Sequence, residues 1–357
     1  MPASSQIRID VLTSMRFIAA IYVLLFHSGG PTLTVSGRLP SFAIHFFANG
    51  YLGVTFFFVL SGFILTYVYS GKINSTADVI NYGWARFSRI YPVYLLALLF
   101  TLPFFTDWQS WAGVPQFVLL QSWSPLAMFT DHVMANANGP AWTLSVELLF
   151  YLLFPGLLWA LSHLSTRSVV VATVLIAGLI LGLRTSGISD IRHVLFEAMG
   201  YVPVPLLRLP EFCFGMCIGS LFVRGAMPRS PLALLGLTAC LAVVLLSSQS
   251  LWVAPATTLL VGGIIGLAPA SLGTGLAANI FNSRLMTLLG AASFSLYIIQ
   301  TPVHFWMQWL ASGPYAILGR LFYLPVMLVL SVVVFLCFEE VVRRALRQFP
   351  SRPLAAT

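Results

Sequence analysis

The sequence predicts an all-α integral membrane protein, a bundle of about ten transmembrane helices with both termini cytoplasmic. Three observations carry this. Of 357 residues, 59% are hydrophobic and only 8% charged, where a soluble domain carries about a quarter charged residues. Apolar runs long enough to cross a bilayer recur along the whole chain. Thirteen of the eighteen basic residues fall on one side when successive runs alternate in direction, as membrane topology requires.

The expected spans are 11–29, 48–70, 89–106, 142–162, 168–184, 206–223, 231–248, 252–270, 285–311 and 318–338. The first lacks a strongly basic start and a small-residue cleavage site, so it reads as a helix rather than a leader. The second is rich in aromatic and β-branched residues, and the third opens at the Arg86 and Arg89 pair, just before Ile90-Tyr91-Pro92. Between the third and fourth, Asp107 to Pro140 is long for a loop. Its Trp108, Trp111 and Trp123 suit a hairpin or short helix at the outer interface. The fifth to eighth spans are Leu, Val, Gly and Ala with few polar landmarks, and the ninth and tenth close the bundle. An even number of spans leaves both termini on the basic side, the cytoplasm. That side collects Arg8, Arg16, Lys72, Arg86, Arg89, Arg167, Arg224, Arg229, Arg284, Arg343, Arg344, Arg347 and Arg352. The outer side holds Arg38, Arg184, Arg192, Arg208 and Arg320. The chain is expected to be one transmembrane domain, 1–357, with no appended soluble domain, because no polar stretch exceeds a few tens of residues.

The net charge of +8 is that topological bias, which removes the case for a nucleic-acid partner. Cys213, Cys217, Cys240 and Cys337 lie in apolar runs without metal-type spacing and read as small core residues. No set of ligands suggests a metal, and no glycine run resembles a nucleotide-phosphate loop.

A few polar residues are not explained by topology. Arg16 and His27 both lie in the first span. Eleven residues of helix turn through about 1100°, so the two share a face about 16 Å apart. A charge at that depth costs roughly 3 kcal/mol and faces a protein-lined cavity. Glu147 and Glu211 are the two acids placed within spans, both near the outer ends. Neutral imidazole oriented by a carboxylate is a general base, so His27 and Glu147 are the expected catalytic pair. Arg208 and Glu211, three apart on one face, either pair structurally or line the acceptor site. Arg86 and Arg89 also stand three apart at the cytoplasmic end of the third span. They either satisfy topology or hold a phosphate-bearing ligand, for which guanidinium forks are suited. His45, His132, His163 and His193 fall in loops, and His304 packs in the ninth span.

These pieces together resemble the acyltransferase 3 family of bacterial membrane O-acyltransferases. The resemblance rests on Leu12-Thr-Ser-Met-Arg16-Phe-Ile-Ala-Ala with His27 (an Arg-x10-His pattern) and on Gly53-Val-Thr-Phe-Phe-Phe-Val-Leu-Ser61-Gly62-Phe63. It continues through the Arg-x-x-Arg pair Arg86 and Arg89 with Tyr91-Pro92, then Trp142-Thr-Leu-Ser-Val-Glu147 to Phe150-Tyr151, Glu211-Phe-Cys-Phe-Gly215 and Ser293-Phe-Ser-Leu-Tyr297. Each is weak alone; in this order they are specific, and they span most of the chain. The resemblance implies an acyl-CoA donor, acetyl-CoA being the expected one, with a sugar hydroxyl as the usual acceptor and the bacterial inner membrane as location. It matches His27 to the family's essential histidine, and Arg16, Arg86 and Arg89 to its essential arginines. Two positions depart: Gln300 stands where members often have His, and Leu148 where they often have a second acid.

The expected chemistry is therefore acyl transfer from coenzyme A to a hydroxyl of a surface or exported glycan. Arg86, Arg89 and Arg16 hold the donor. His27, oriented by Glu147, takes the acceptor's proton, directly or by way of an acyl-histidine. Asn138, Ser145, Tyr297, Arg208 and Glu211 line the acceptor site, and no metal takes part. A secreted small molecule such as a macrolide is the alternative acceptor. From other classes, a transporter or flippase of a polar or lipid-linked solute also fits mid-membrane polar residues, although no matching halves with interrupted helices are visible. A membrane scaffold would need neither His27 nor Glu147.

Overall fold

The computed structural model describes residues 10–28, 39–104, 114–123, 138–185, 203–272, 275–310 and 316–348, with backbone alone for 316–321. Arg8, Arg38, Arg192, Arg352, Trp108, Trp111, His132 and His193 lie outside the described residues, as does the Arg320 side chain. Every regular element among the described residues is helical. In chain order these are α1 (Asp10–His27), α2 (Ser41–Ala48), α3 (Gly53–Tyr69), α4 (Thr76–Thr101), α5 (Trp142–Ser162), α6 (Thr166–Thr185) and α7 (Val204–Val223). Then follow α8 (Pro231–Leu246), α9 (Val253–Ser271), α10 (Leu276–Phe281), α11 (Arg284–Ala291), α12 (Ser293–Leu310), α13 (Ala316–Val334) and α14 (Glu340–Arg347), with shorter 3-10 and helical turns between.

Eight described helices are long and apolar enough to cross a membrane, so the protein is an all-α membrane bundle. The count differs from the expected ten for two physical reasons. α11 and α12 are bent by 55° at a one-residue break and make a ninth span only if taken together. α8 has 16 residues and rises about 24 Å, short of a hydrocarbon core about 30 Å thick.

Two boundaries also move. The third span was expected from residue 89, but α4 starts at Thr76 because Ser75 and Asp78 form a reciprocal cap. The Ser75 hydroxyl accepts from the Asp78 amide at 3.2 Å, and the Asp78 carboxylate accepts from the Ser75 amide at 2.9 Å, which satisfies two orphan donors of the first turn. Arg86 and Arg89 thus lie well inside a helix, about 15–20 Å from its start, rather than at its end. The last span was expected to stop at 338. Instead α13 passes through a π-helical turn, Phe335–Glu339, and runs on into α14.

The described residues divide into two compact units, Met1–Ser70 with Gly156–Val202 and Leu207–Ala291, and Gly71–Pro155 with Pro203–Leu206 and Ala292–Thr357. In the first, Leu12, Val59, Phe63, Ile265 and Ala268 are fully buried in one apolar cluster. Lipid is as apolar as leucine, so helices here associate by close backbone approach. Gly62 of α3 lies on the backbone of Phe212 and Met216 in α7, and Gly215 of α7 lies on Val59 of α3. A Cβ at either would strike main chain. Gly290 of α11 meets the Thr13 carbonyl of α1 in the same way.

In the second unit, α4 packs against α12 and α14. The Trp84 indole N–H donates to the Leu346 carbonyl at 2.7 Å, and Tyr82 stacks on Phe154 at 5.2 Å. Farther along α4, the Tyr94 and Tyr91 hydroxyls donate to the Gln116 and Phe117 carbonyls at 2.7 and 3.0 Å, tying the 114–123 segment to the helix.

Candidate active site

The polar residues of the second unit gather around Arg89. Arg86 and Arg89 are three apart, on one face of α4, both half-buried. The Arg86 guanidinium stands 6.0 Å from the Tyr82 ring centroid, within cation–π range. The charges and dipoles acting on Arg89 are Arg86, Tyr151, Glu339 and Glu147. Glu147 and Tyr151 are four apart on α5, so they too share a face. The Tyr151 hydroxyl donates to Glu147 Oε2 at 2.9 Å. Glu339 closes the π turn and is 3% exposed. Its Oε2 accepts from the buried Ser295 hydroxyl of α12 at 2.6 Å.

Arg86 and two carboxylates thus act on Arg89, and each carboxylate is held by a hydroxyl. The composition follows from cost: an isolated charge out of water costs several kcal/mol, and opposite charges with donors on the spare lone pairs offset it. Glu339 was not among the acids expected within the spans. The apolar run ends at Phe338, and Glu339-Glu340 reads from sequence as a charged helix end.

Three expected acceptor-site residues are buried nearby and spend hydrogen bonds on bracing the start of α5. Asn138 Nδ2 donates to the Ile298 carbonyl at 2.8 Å. The Tyr297 hydroxyl donates to the Pro140 carbonyl at 3.1 Å and lies in the field of Glu147. Ser145 Oγ accepts from the Ser122 amide at 3.2 Å. Together they fasten residues 138–145 to α12 and to the 121–123 turn. Gln300, at the departure from the family pattern, is 2% exposed, and its amide donates to the Tyr297 carbonyl at 2.7 Å.

Arg16 and His27 belong to the first unit. Both lie on the one unbroken helix α1, which preserves the shared face read from their spacing. Arg16 is half-buried, whereas His27 is exposed in the last turn. Its ring meets Phe26 edge-on at 5.1 Å.

The same unit contains a second ionic cluster. Glu211, 1% exposed, takes Arg184 and Arg208 on a single oxygen, Oε1, with Arg208 at 2.9 Å. The Arg208–Glu211 pairing weighed from sequence is present. Arg184, expected at the outer surface, is 8% exposed and joins it. Nothing in sequence marked Arg184, because an arginine at the end of an apolar run reads as an interfacial anchor.

Among the described residues, no three His, Cys, Asp or Glu side chains are grouped to hold a metal ion. The guanidinium pair is the part of the second unit suited to a multiply charged anion such as a phosphate-bearing substrate.

The chain matches the model of the "Acyltransferase domain" family over residues 9–353. It is similar to the acyltransferase MdmB of Streptomyces mycarofaciens, 33% identical over 163 residues, which cover 43% of this chain and 39% of that one. It is also similar to the exopolysaccharide production protein ExoZ of Rhizobium meliloti, 30% identical over 282 residues, covering 72% and 77%. The O-acetyltransferase OatA of Staphylococcus aureus is 25% identical over 181 residues, 47% of this chain and 28% of that one. The matched stretch thus spans well under half of MdmB and OatA and most of ExoZ. No solved structure matches.

Proposed function

The chain belongs to the membrane acyltransferase family, and from that premise we propose that it moves an acyl group, acetyl first, from cytosolic acyl-CoA to a hydroxyl of a sugar in a surface or exported glycan. The observation that carries the donor half is the pair Arg86 and Arg89, half-buried on one face of α4, two guanidinium forks beside each other. The glycan acceptor is supported by the relative that covers most of both chains, whose name is exopolysaccharide production protein.

In this reading the donor's phosphates bind the edges of Arg86 and Arg89, and Arg16 is a further donor-binding residue. The acceptor hydroxyl oxygen attacks the thioester carbonyl carbon. His27 takes the hydroxyl proton as the new C–O bond forms. The C–S bond then breaks, and the proton passes from the imidazolium to the departing coenzyme A sulfur. General base help of this kind is worth about 10²–10⁴-fold. Glu147, fixed by Tyr151, stabilises the arginine face. The basic bias toward one set of loops supports a multi-pass orientation in the bacterial inner membrane with both termini cytoplasmic.

The deciding experiment supplies acyl-CoA labelled in the acyl group to membranes containing the protein. Mass spectrometry then follows label in surface glycans and in secreted small molecules, with and without the gene. Ester-linked label on glycan sugars supports the proposal. Label confined to a secreted small molecule moves the acceptor to that class, and transport of a solute with no consumption of acyl-CoA overturns the enzymatic reading.

A further inference from the structure

We infer that Glu339 is a positioning residue for Arg89, fixed in turn by Ser295, so that a π turn in the last helix sets the geometry of the donor site. The inference rests on the reading of Arg86 and Arg89 as the donor-binding pair.

Four observations converge. Glu339 is a carboxylate with 3% exposure in a chain that is only 8% charged. Its Oε2 accepts from Ser295, itself fully buried, at 2.6 Å, so its plane is set from a neighbouring helix. The π turn that carries it packs against α4, the helix of Arg89, and its charge acts on Arg89. Glu339 also occupies the final position of a π-helical turn, Phe335–Glu339, inside an otherwise regular helix. π turns are rare and recur at functional sites. Here the extra residue changes which side chain faces the bundle at the end of the turn. The residue so placed is the acid.

The arrangement solves a specific problem. Arg86 and Arg89 repel each other on one helix face, and a long side chain such as arginine has many rotamers to lose when it binds. A fixed carboxylate whose charge acts on Arg89 removes part of that cost before the donor arrives, leaving the guanidinium ordered for a second anion. Glu147 acts on the same arginine from α5 and is oriented by a different hydroxyl, that of Tyr151. The arginine thus lies in the field of carboxylates from two helices besides its own. Loss of Glu339 should weaken donor capture and spare the proton transfer at His27.

The test compares Glu339→Gln, Ser295→Ala, Arg89→Ala and the double variant Glu339→Gln/Arg89→Ala in membranes, with donor and acceptor varied separately. Glu339→Gln keeps the side-chain shape. It is expected to raise KM for acyl-CoA about ten-fold, the scale of one hydrogen bond to a charged group, with kcat at saturating donor and KM for acceptor nearly unchanged. Ser295→Ala should move the same parameter less, and Glu339→Asp should restore part of the loss. In the Arg89→Ala background, Glu339→Gln should add nothing, since residues that act through one another are non-additive. An unchanged donor KM in Glu339→Gln, beside a raised one in Arg89→Ala, overturns the inference and leaves the donor site standing. An unchanged donor KM in Arg89→Ala overturns the donor-site reading itself. If Glu339→Gln fails to accumulate in the membrane and Ser295→Ala leaves donor KM alone, Glu339 is structural and the inference fails.

Discussion

Tyr151 donates its hydroxyl hydrogen to Glu147 Oε2 at 2.9 Å across one turn of α5. The pair turns a carboxylate in a lipid-embedded helix into a directed group. It accepts from its own helix on one side and acts on Arg89 and Tyr297 on the other. Glu339 has the same relation to Ser295. Two acids with one hydroxyl each, about two arginines, is the pattern expected where buried charge is kept for use rather than for stability.

Tyr151→Phe removes that hydrogen bond and little volume. The half-buried Glu147 oxygen then loses that donor, which costs about 1–3 kcal/mol and lets the carboxylate turn. Transfer measured as kcat/KM for the donor should fall about ten-fold, with normal amounts of protein in the membrane. A rate equal to that of the unaltered protein would show that the Glu147 orientation is immaterial.

His27→Ala should reduce turnover by about 10²–10⁴-fold, the usual worth of a general base. The side chain is exposed at the end of α1, so the variant should accumulate and melt like the parent. His27→Gln, which keeps a polar side chain but cannot take the proton, should be equally inactive. Retained acylation in either variant, assayed with labelled acyl-CoA, removes His27 from the mechanism.

Much of this was legible in sequence, and the misses have a common cause. The Arg16–His27 face was readable because α1 is regular and eleven residues complete just over three whole turns. Arg86 and Arg89 were readable as a pair, but not their depth. The polar first half of α4, with Asp78 and Asn81, resembles a loop until the Ser75 cap is recognised. Glu339 was hidden by a change of period, because a π turn shifts every face assigned at 3.6 residues per turn. Arg184 was hidden by context: its partner Glu211 is 27 residues away and no local pattern joins them. Residues that act through their own helix were visible, while those defined by a neighbouring helix were not.

Gly62→Ala and Gly215→Ala should each lower the thermal midpoint of the detergent-solubilised protein. An added Cβ at Gly62 meets the Phe212 carbonyl, and at Gly215 the Val59 carbonyl; main chain cannot rotate aside as a side chain does. Overpacking of this kind costs about 1–3 kcal/mol. Gly156→Ala, where a Cβ meets nothing within 4 Å, is the control and should leave the midpoint in place. If all three variants melt together, α3 and α7 are not held by this contact.

The Arg184–Glu211–Arg208 cluster has two readings that its own chemistry can separate. As a purely structural ion group, it should obey the rule for buried pairs. Removing one member by Glu211→Leu leaves two guanidiniums facing each other and costs about 3–5 kcal/mol, whereas replacing all three with apolar residues of similar volume is neutral or stabilising. The variant Arg184→Met/Arg208→Met/Glu211→Leu should then melt near the parent temperature while Glu211→Leu alone melts well below it. Activity distinguishes the second reading. If the cluster also binds the acceptor, the triple variant folds but shows a raised KM for acceptor at unchanged KM for acyl-CoA. A stable triple variant with parental kinetics for both substrates assigns Arg208 and Glu211 to the scaffold and removes them from the acceptor site.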